Sequence, residues 1–265
     1  VKRDERRQAI MDILIADRAV DLDDLADRFA VSKMTIHRDL DDLEQAGLLR
    51  KMRGGATIET GTQFESDFRI RELQDGEAKA RMAAAALDLI EPGMTVMIND
   101  GSMAALLGAQ LTQKVPLTVI TNNAAIIERL KDASRIRLIA LGGLFNAKFN
   151  AFFGVLTETV LSELRADIAF LSSPAISGLG SFHMDESVVR VKRAMIAAAD
   201  RRILLVNHRR FGHSALHRMA DLSDFEAIIT DAPPESRTAI DRAGIALTIA
   251  PPVRQQNPDI KETTP

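Results

Sequence analysis

The sequence predicts an α/β protein in two parts. A small helical unit closed by a β-hairpin is followed by a larger, mostly parallel, doubly wound α/β domain. Three observations carry this expectation. Residues 32–56 read as a capped helix, a glycine and a glycine-tipped hairpin. Two apolar helical faces precede that helix. From Glu77 onward, short apolar strand signals alternate with helical ones, the pattern of a parallel sheet covered on both faces.

In the first part, Ile10, Ile13 and Leu14 form one apolar face, and Leu22, Leu25, Ala26 and Phe29 the next, with Ala30-Val31 as the turn. Ser32 can cap a third helix by accepting backbone hydrogen bonds that a helix start cannot make internally. Ile36, Leu40 and Leu43 follow at i, i+4 and i+7, a buried stripe. Lys33, Thr35, His37 and Arg38 are thereby turned outward at the front of that helix. After Gly47 come Arg50, Lys51 and Arg53 and the pair Gly54-Gly55. This is the outline of a winged helix-turn-helix, whose recognition helix enters the DNA major groove by its N-terminal end. The candidate DNA contacts are Ser32, Lys33, Thr35, His37 and Arg38 on the helix and Arg50, Lys51 and Arg53 on the wing. The plainer alternative is a three-helix bundle with a surface arginine. Cap, stripe, Gly47 and glycine wing together weigh against it.

Charge alone does not announce a nucleic-acid binder. The net charge is −3, and residues 1–57 hold 11 Lys/Arg against 12 Asp/Glu. The distribution matters more. Asp21, Asp23, Asp24 and Asp27 cluster on the second helix, whereas Lys33, Arg38, Arg50, Lys51 and Arg53 lie on the third helix and the wing. Charge sorted by face can still bind phosphate. One such unit has little to hold DNA with, so a homodimer or homotetramer is expected.

With 265 residues, one or two domains are expected. No apolar run is long enough for a transmembrane helix, and the charged start VKRDERRQAI does not resemble a signal peptide. A cytoplasmic protein without membrane partners is expected. There is no cysteine, which excludes disulfides and thiolate metal sites. His37, His183, His208, His213 and His217 form no tight ligand pattern, so neither a metal nor a cofactor is expected.

The expected organisation is a DNA-binding unit at 1–57, a linker at 58–76, an α/β domain at 77–250 and a disordered tail at 251–265. Within the linker a short helix is expected near 67–73. A helix over 77–90 stops at Glu91-Pro92-Gly93. Strands are expected at 95–99, 117–121, 137–141, 168–172, 203–207, 227–230 and 247–250, and helices at 103–111, 124–131, 157–164, 186–199 and 235–243.

Ligands of open α/β sheets bind beyond the carboxyl ends of the strands. Four loops there have unusual composition. Asn99-Asp100-Gly101-Ser102 offers close backbone approach, free N–H groups and a hydroxyl. Thr121-Asn122-Asn123 also leads from a strand into a helix, where capping is the competing role. Leu141-Gly142-Gly143 could equally be a tight turn. Asn207-His208-Arg209-Arg210-Phe211 places cations after a strand, or is a solvated basic loop. Taken together they suit a phosphorylated polyhydroxy ligand, with amides and arginine for phosphate and Asn and Asp for hydroxyls.

With these residues in view, the chain resembles the DeoR family of transcriptional repressors. The matching residues are Val31-Ser32, Thr35-Ile36-His37-Arg38-Asp39-Leu40, Leu43-Glu44, Gly47, Arg50 and Arg53-Gly54-Gly55-Ala56. His37 stands where the family usually has arginine, and Arg53 where it usually has histidine. The second half resembles the family's sensor domains, which are similar to ribose-5-phosphate isomerase folds and bind sugar phosphates. Asp100-Gly101-Ser102-Met103 takes the place of Ser-Gly-Thr-Thr, and Thr121-Asn122-Asn123 that of Thr-Asn-Ser. Leu141-Gly142-Gly143, Asp167-Ile168-Ala169-Phe170 and Val191-Lys192-Arg193-Ala194-Met195-Ile196 match directly, which adds Lys192 to the candidate pocket. Arg210 stands for a lysine, a planar fork in place of a point charge.

The resemblance implies a DNA-binding regulator, a repressor of a carbohydrate or polyol catabolic operon. Its partners would be a double-stranded DNA operator and a phosphorylated sugar or polyol effector that relieves repression. The effector residues would be Asn99, Asp100, Gly101, Ser102, Thr121, Asn122, Asn123, Gly142, Gly143, Lys192 and Arg210. The alternative is a sugar-phosphate isomerase with an appended helical domain. Isomerisation needs a general base beside the substrate's acidic carbon. Related isomerases carry an Asp-Glu pair just after the strand that here ends Phe170-Leu171, but this chain has Ser172-Ser173-Pro174-Ala175. Asp185 and Glu186 come later in the chain. A winged helix serving protein contacts only is a third reading. No catalytic residue is expected.

Overall fold

A computed structural model describes residues 3–45, 48–58 and 68–251. Gly47, most of the first half of the expected linker (59–67) and the tail beyond Pro251 lie outside the described residues.

The amino-terminal unit is built from α1 (Arg3–Asp17), β1 (Ala19–Asp21), α2 (Leu22–Phe29), α3 (Lys33–Gln45), β2 (Arg50–Met52) and β3 (Gly55–Thr57). The side chain of Asp21 caps α2 by accepting from the amides of Asp23 and Asp24. Ala30, in the left-handed region, ends that helix. Ser32 caps α3 as expected: its Oγ accepts from the Thr35 amide at 3.2 Å. Ile10, Leu14, Leu25, Ile36, Leu40 and Leu49 close the core. The hairpin gains a strand that the sequence did not suggest. β1 pairs with β3, giving an antiparallel sheet in the order β1-β3-β2.

A buried ion cluster ties α1 to α3. Arg6 Nε lies 2.6 Å from Asp39 Oδ2, with both side chains buried. Arg7 Nε lies 3.6 Å from the other carboxylate oxygen, and Arg3 and Arg7 both reach Asp42.

Two helices follow, α4 (Phe68–Leu73) and α5 (Gly76–Leu87). The short helix expected within the linker is α4, and it is packed rather than loose. Phe68, Ile70 and Arg71 are buried, and the Phe68 amide donates to the Lys148 carbonyl at 2.8 Å.

The larger part continues with β4 (Thr95–Ile98), α6 (Ser102–Gly108), β5 (Leu117–Thr121), α7 (Ala124–Leu130), β6 (Ile136–Ala140), β7 (Leu144–Asn146) and β8 (Ala151–Phe153). Then come α8 (Val155–Ser162), β9 (Ala166–Ser172), β10 (Ala175–Ser177), β11 (Gly180–His183), α9 (Glu186–Ala197) and β12 (Ala199–Leu205). Last are β13 (His217–Asp221), β14 (Ala227–Thr230), α10 (Arg237–Arg242) and β15 (Ala246–Ile249). The seven expected strands form one parallel sheet in the order β15-β14-β12-β9-β4-β5-β6. Strand side chains alternate between its faces. Met97, Ala169, Leu171 and Leu204 pack with α8, α9 and α10. Val96, Ile98, Ile168, Phe170 and Ile203 pack with α5, α6 and α7.

The sheet grows from β4 to β5 and β6 on one side, then resumes at β9 on the other. The neighbours β4 and β9 therefore form the topological switch point, where the loops diverge and leave a crevice. Two small additions, the β7–β8 hairpin and the antiparallel sheet β10-β11-β13, lie outside the main sheet.

Candidate functional site

Two places concentrate polar side chains that the core does not need. The first is the exposed face of α3 with the wing. Ser32, Lys33, His37, Arg38, Arg50 and Arg53 are exposed, and Thr35 and Lys51 are partly so. Arg38 makes no ion pair or hydrogen bond among the described residues, so its guanidinium is available to a partner. Two of the expected cations are already engaged. Lys33 Nζ lies 2.7 Å from Asp23, which raises its pKa chiefly through that hydrogen bond. Lys51 holds Asp41 of α3 through its ammonium, and its amide donates to Glu44 at 2.7 Å. Those contacts fix the wing against the helix. Met34, 61% exposed on the same face, was missed because it breaks the polar pattern; an apolar side chain there can meet a thymine methyl group.

The second place is a cleft of about 80 Å³ at the switch point. Gly101, Ser102, Lys192 and Arg210 line it, together with Ser172 and Ser173 from the end of β9. Arg71 of α4, Lys79 of α5, and Gln74 and Asp75 of the turn between them also line its wall. Gly101, at φ +110°, turns the chain from β4 into α6, and a Cβ there would lie 3.0 Å from Ser172 Oγ. Lys192 is almost fully buried; its Nζ donates to the Ser172 carbonyl at 3.0 Å and lies 3.7 Å from Asp100 Oδ1.

The structure places the remaining expected residues around the cleft rather than along its wall. Thr121 Oγ1 donates to the Ile98 carbonyl at 2.7 Å, bridging neighbouring strands. Asn123 caps α7 and donates to the Gly101 carbonyl at 3.1 Å, which fixes the β4–α6 loop. Asn122 Nδ2 donates to the Phe152 carbonyl at 2.9 Å. Asn99 Nδ2 points to Asp100 and Ser172, 3.3 Å from each. Gly142-Gly143 packs closely against α8 and the end of β8. The Gly142 carbonyl accepts from Thr157 Oγ1 at 2.6 Å, and a Cβ on Gly143 would lie 2.5 Å from the Phe153 carbonyl oxygen.

The buried Oδ1 atoms of Asn99 and Asn122 have no hydrogen-bond partner among the described residues. Such an atom carries a desolvation cost of about 1–3 kcal/mol.

The cleft is poor in general bases. Asp100 faces Lys192, and Asp185 caps α9 by accepting from the amides of Ser187 and Val188. In the histidine-rich stretch His208 Nδ1 pairs with Asp231 at 2.8 Å, and no group of three or more metal-ligating side chains occurs among the described residues. No helix among the described residues is long and apolar enough to cross a membrane.

A winged helix joined to an α/β domain with a polar, cation-rich crevice defines a DNA-binding regulator with a sensor domain. Comparison with known proteins agrees. The DeoR-like helix-turn-helix domain matches residues 6–62, and the DeoR C terminal sensor domain matches residues 74–232. The chain belongs to the DeoR family of transcriptional regulators and is not an enzyme. An uncharacterized HTH-type transcriptional regulator of Escherichia coli is 31% identical over 93% of this chain and 97% of its own length. The L-fucose operon activator of Haemophilus influenzae is 32% identical over 78% of this chain and 84% of its own. The glycerol-3-phosphate regulon repressor of Escherichia coli is 29% identical over 88% and 93%. Among solved structures, ribose 5-phosphate isomerase A from Methanocaldococcus jannaschii aligns with a TM-score of 0.36 at 17% identity, over 50% of this chain and 53% of that one.

Proposed function

We propose that the chain represses a carbohydrate or polyol catabolic operon and releases its operator when a phosphorylated sugar or polyol fills the cleft at β4 and β9. The observation that carries this reading is the cleft's make-up. Lys79, Lys192, Arg71 and Arg210 line it beside Ser102, Ser172 and Gln74, with Asp75 the one carboxylate in its wall among the described residues. Cations suit a phosphate, and short polar side chains suit hydroxyls. Its volume of about 80 Å³ takes several water-sized groups. That is the scale of a small phosphorylated polyol. A relative that represses a glycerol-3-phosphate regulon supports the ligand class. One that activates a fucose operon leaves the sign of control to the test.

The test is a gel shift on the DNA upstream of the chain's own gene, titrated with phosphorylated sugars and polyols. Release by a phosphorylated compound, and not by its dephosphorylated form, is the expected result. Retention throughout the panel would refute the effector class. In the same assay Arg38→Ala should weaken operator binding by about 1–3 kcal/mol if its contact is to a base. Undiminished binding by the folded variant would remove Arg38 from the interface.

Self-association through the larger domain belongs to this reading, because one recognition helix offers too little contact for tight specific binding. Leu144 and Phe145 of β7 and Val155, Leu156 and Val160 of α8 are exposed apolar side chains on adjoining elements, a surface suited to a second copy of the chain. Sedimentation should show a dimer or tetramer, and Leu144→Glu with Leu156→Glu should shift it toward monomer. A monomer that binds one operator tightly would refute this.

A further inference from the structure

The cleft differs in one respect from a pocket made only of strand-end loops. Part of its wall comes from α4, α5 and the turn that joins them, which follow the amino-terminal unit: Arg71, Gln74, Asp75 and Lys79. Its four cations have different surroundings. Lys192 is committed to Asp100 and the Ser172 carbonyl. Lys79, half-buried in the first turn of α5, donates to the carbonyl of Arg71. Arg210 lines the cleft from the short turn His208–Arg210. Asp75, the wall's carboxylate, is drawn the other way: its Oδ1 lies 3.4 Å from Arg18 of the amino-terminal unit and 3.5 Å from Arg209.

We propose that Lys79, together with Arg210, holds the phosphate of the effector, so that the ligand's charge is gripped from α5 rather than from the strand-end loops alone. This rests on the effector reading given above and names the residues that recognise the charged group. A phosphomonoester dianion between the ammonium and the guanidinium would relieve crowding among cations. It would replace the neutral carbonyl as the strongest acceptor near Lys79.

The electrostatics of the site agree. Burial pushes the Lys79 pKa down to about 8, with further lowering by Arg71 and Arg210, against the opposing pull of Asp75 and Glu72. Lys192 and Asp100 also face the cleft, but as a buried pair. A lysine with a depressed pKa loses its charge as pH rises through that value. The dianion needs the charged form, so affinity should fall above about pH 8. Binding should take up a proton in that range.

The placement also gives the ligand a route to the DNA-binding unit. The Lys79 amide donates to the Asp75 carbonyl at 2.9 Å, one helical turn away. The phosphate contact and the Arg18 contact therefore share a single turn.

The experiment is calorimetric titration of the full chain with glycerol 3-phosphate, ribose 5-phosphate and glucose 6-phosphate, with inorganic phosphate and free glycerol, ribose and glucose as controls, at pH 7.0 to 9.5. Lys79→Met and Lys79→Arg are compared with the wild type. The wild type should bind at least one phosphorylated probe, with affinity falling about tenfold over the alkaline range. Lys79→Met should bind that probe at least about tenfold more weakly and with a flat pH profile, the weakening being the loss of one charge-assisted contact. Lys79→Arg should bind with a flat profile, because a guanidinium does not titrate there. Lys79→Met binding like wild type, or a flat wild-type profile, would overturn this inference and leave the effector reading standing. A wild type that binds none of the phosphorylated probes would overturn both.

Discussion

Asp39→Ala should destabilise the amino-terminal unit by about 3–5 kcal/mol, the usual cost of removing one partner from a buried ion pair. The Asp39 carboxylate is almost fully buried in α3, and three arginines of α1 converge on it: Arg6 at 2.6 Å, Arg7 at 3.6 Å and Arg3 at 3.9 Å. Without it, the Arg6 guanidinium stays inside a small apolar core, with its desolvation cost no longer offset by that carboxylate. A unit this small has little stability to spare, so the substitution should unfold much of it. Operator binding should fall with it, because α3 is held against α1 at this point. Amide hydrogen exchange across α1 and α3 should report faster opening, with β4 and β9 keeping their protection. The double substitution Arg6→Met with Asp39→Leu should recover much of the loss, since an apolar pair of similar volume can replace a buried ion pair. Exchange rates in Asp39→Ala equal to wild type would mean that water already screens the cluster.

Asp39 also shows what could be read in advance. It lies three residues after Ile36 and four before Leu43, on the buried stripe itself, and α1 carries Arg3, Arg6 and Arg7 close together. A charge on an apolar stripe opposite a run of arginines is a signal, but it becomes specific only when the two helices are known to meet. The seven strands of the main sheet were legible because each is a short, largely apolar run bounded by turn or helix signals; the inner strands are buried on both faces, and the edge strands β6 and β15 are only half-buried. The smaller sheets were not. β1, β7, β8 and β10 are each three residues long, too short for a period-two pattern; β11 is buried or half-buried throughout, and β13 mixes buried and exposed positions.

The cleft divides in the same way. Gly101, Ser102 and Arg210 follow from the rule that open α/β sheets bind ligands beyond their strand ends. Thr121, Asn123 and Gly142-Gly143 sit in equally suggestive loops, yet they brace the backbone around the cleft. Polar loop residues can serve either role, and sequence spacing does not distinguish them. Arg71 and Lys79 were invisible to that rule because they reach the cleft from helices before the first strand of the sheet.

Lys192→Met should cost the larger domain about 3–5 kcal/mol and should also abolish effector binding, for one reason. Lys192 is buried within α9, and its ammonium is the cation facing Asp100, 3.7 Å away, with both side chains about 2% exposed. Asp100 otherwise receives a long contact of 3.3 Å from Asn99 Nδ2. Removing the ammonium leaves a carboxylate in a desolvated site beside Gly101 and withdraws the donor that holds the Ser172 carbonyl at 3.0 Å. Both strand ends at the switch point, β4 and β9, lose the group that joins them. The chain has no tryptophan or tyrosine, so urea unfolding is best followed by far-ultraviolet circular dichroism. The variant's second transition should move to lower urea while the transition of the amino-terminal unit stays in place. Asp100→Asn in the Lys192→Met background should restore much of the stability, because a neutral amide needs no counter-charge. It should restore binding of a phosphorylated probe as well, since Lys192 is spent on Asp100 and the double variant removes both charges of that pair. A Lys192→Met protein that unfolds like wild type would show that Asp100 does not depend on the ammonium. Recovery of stability without probe binding in the double variant would show that Lys192 also meets the ligand directly.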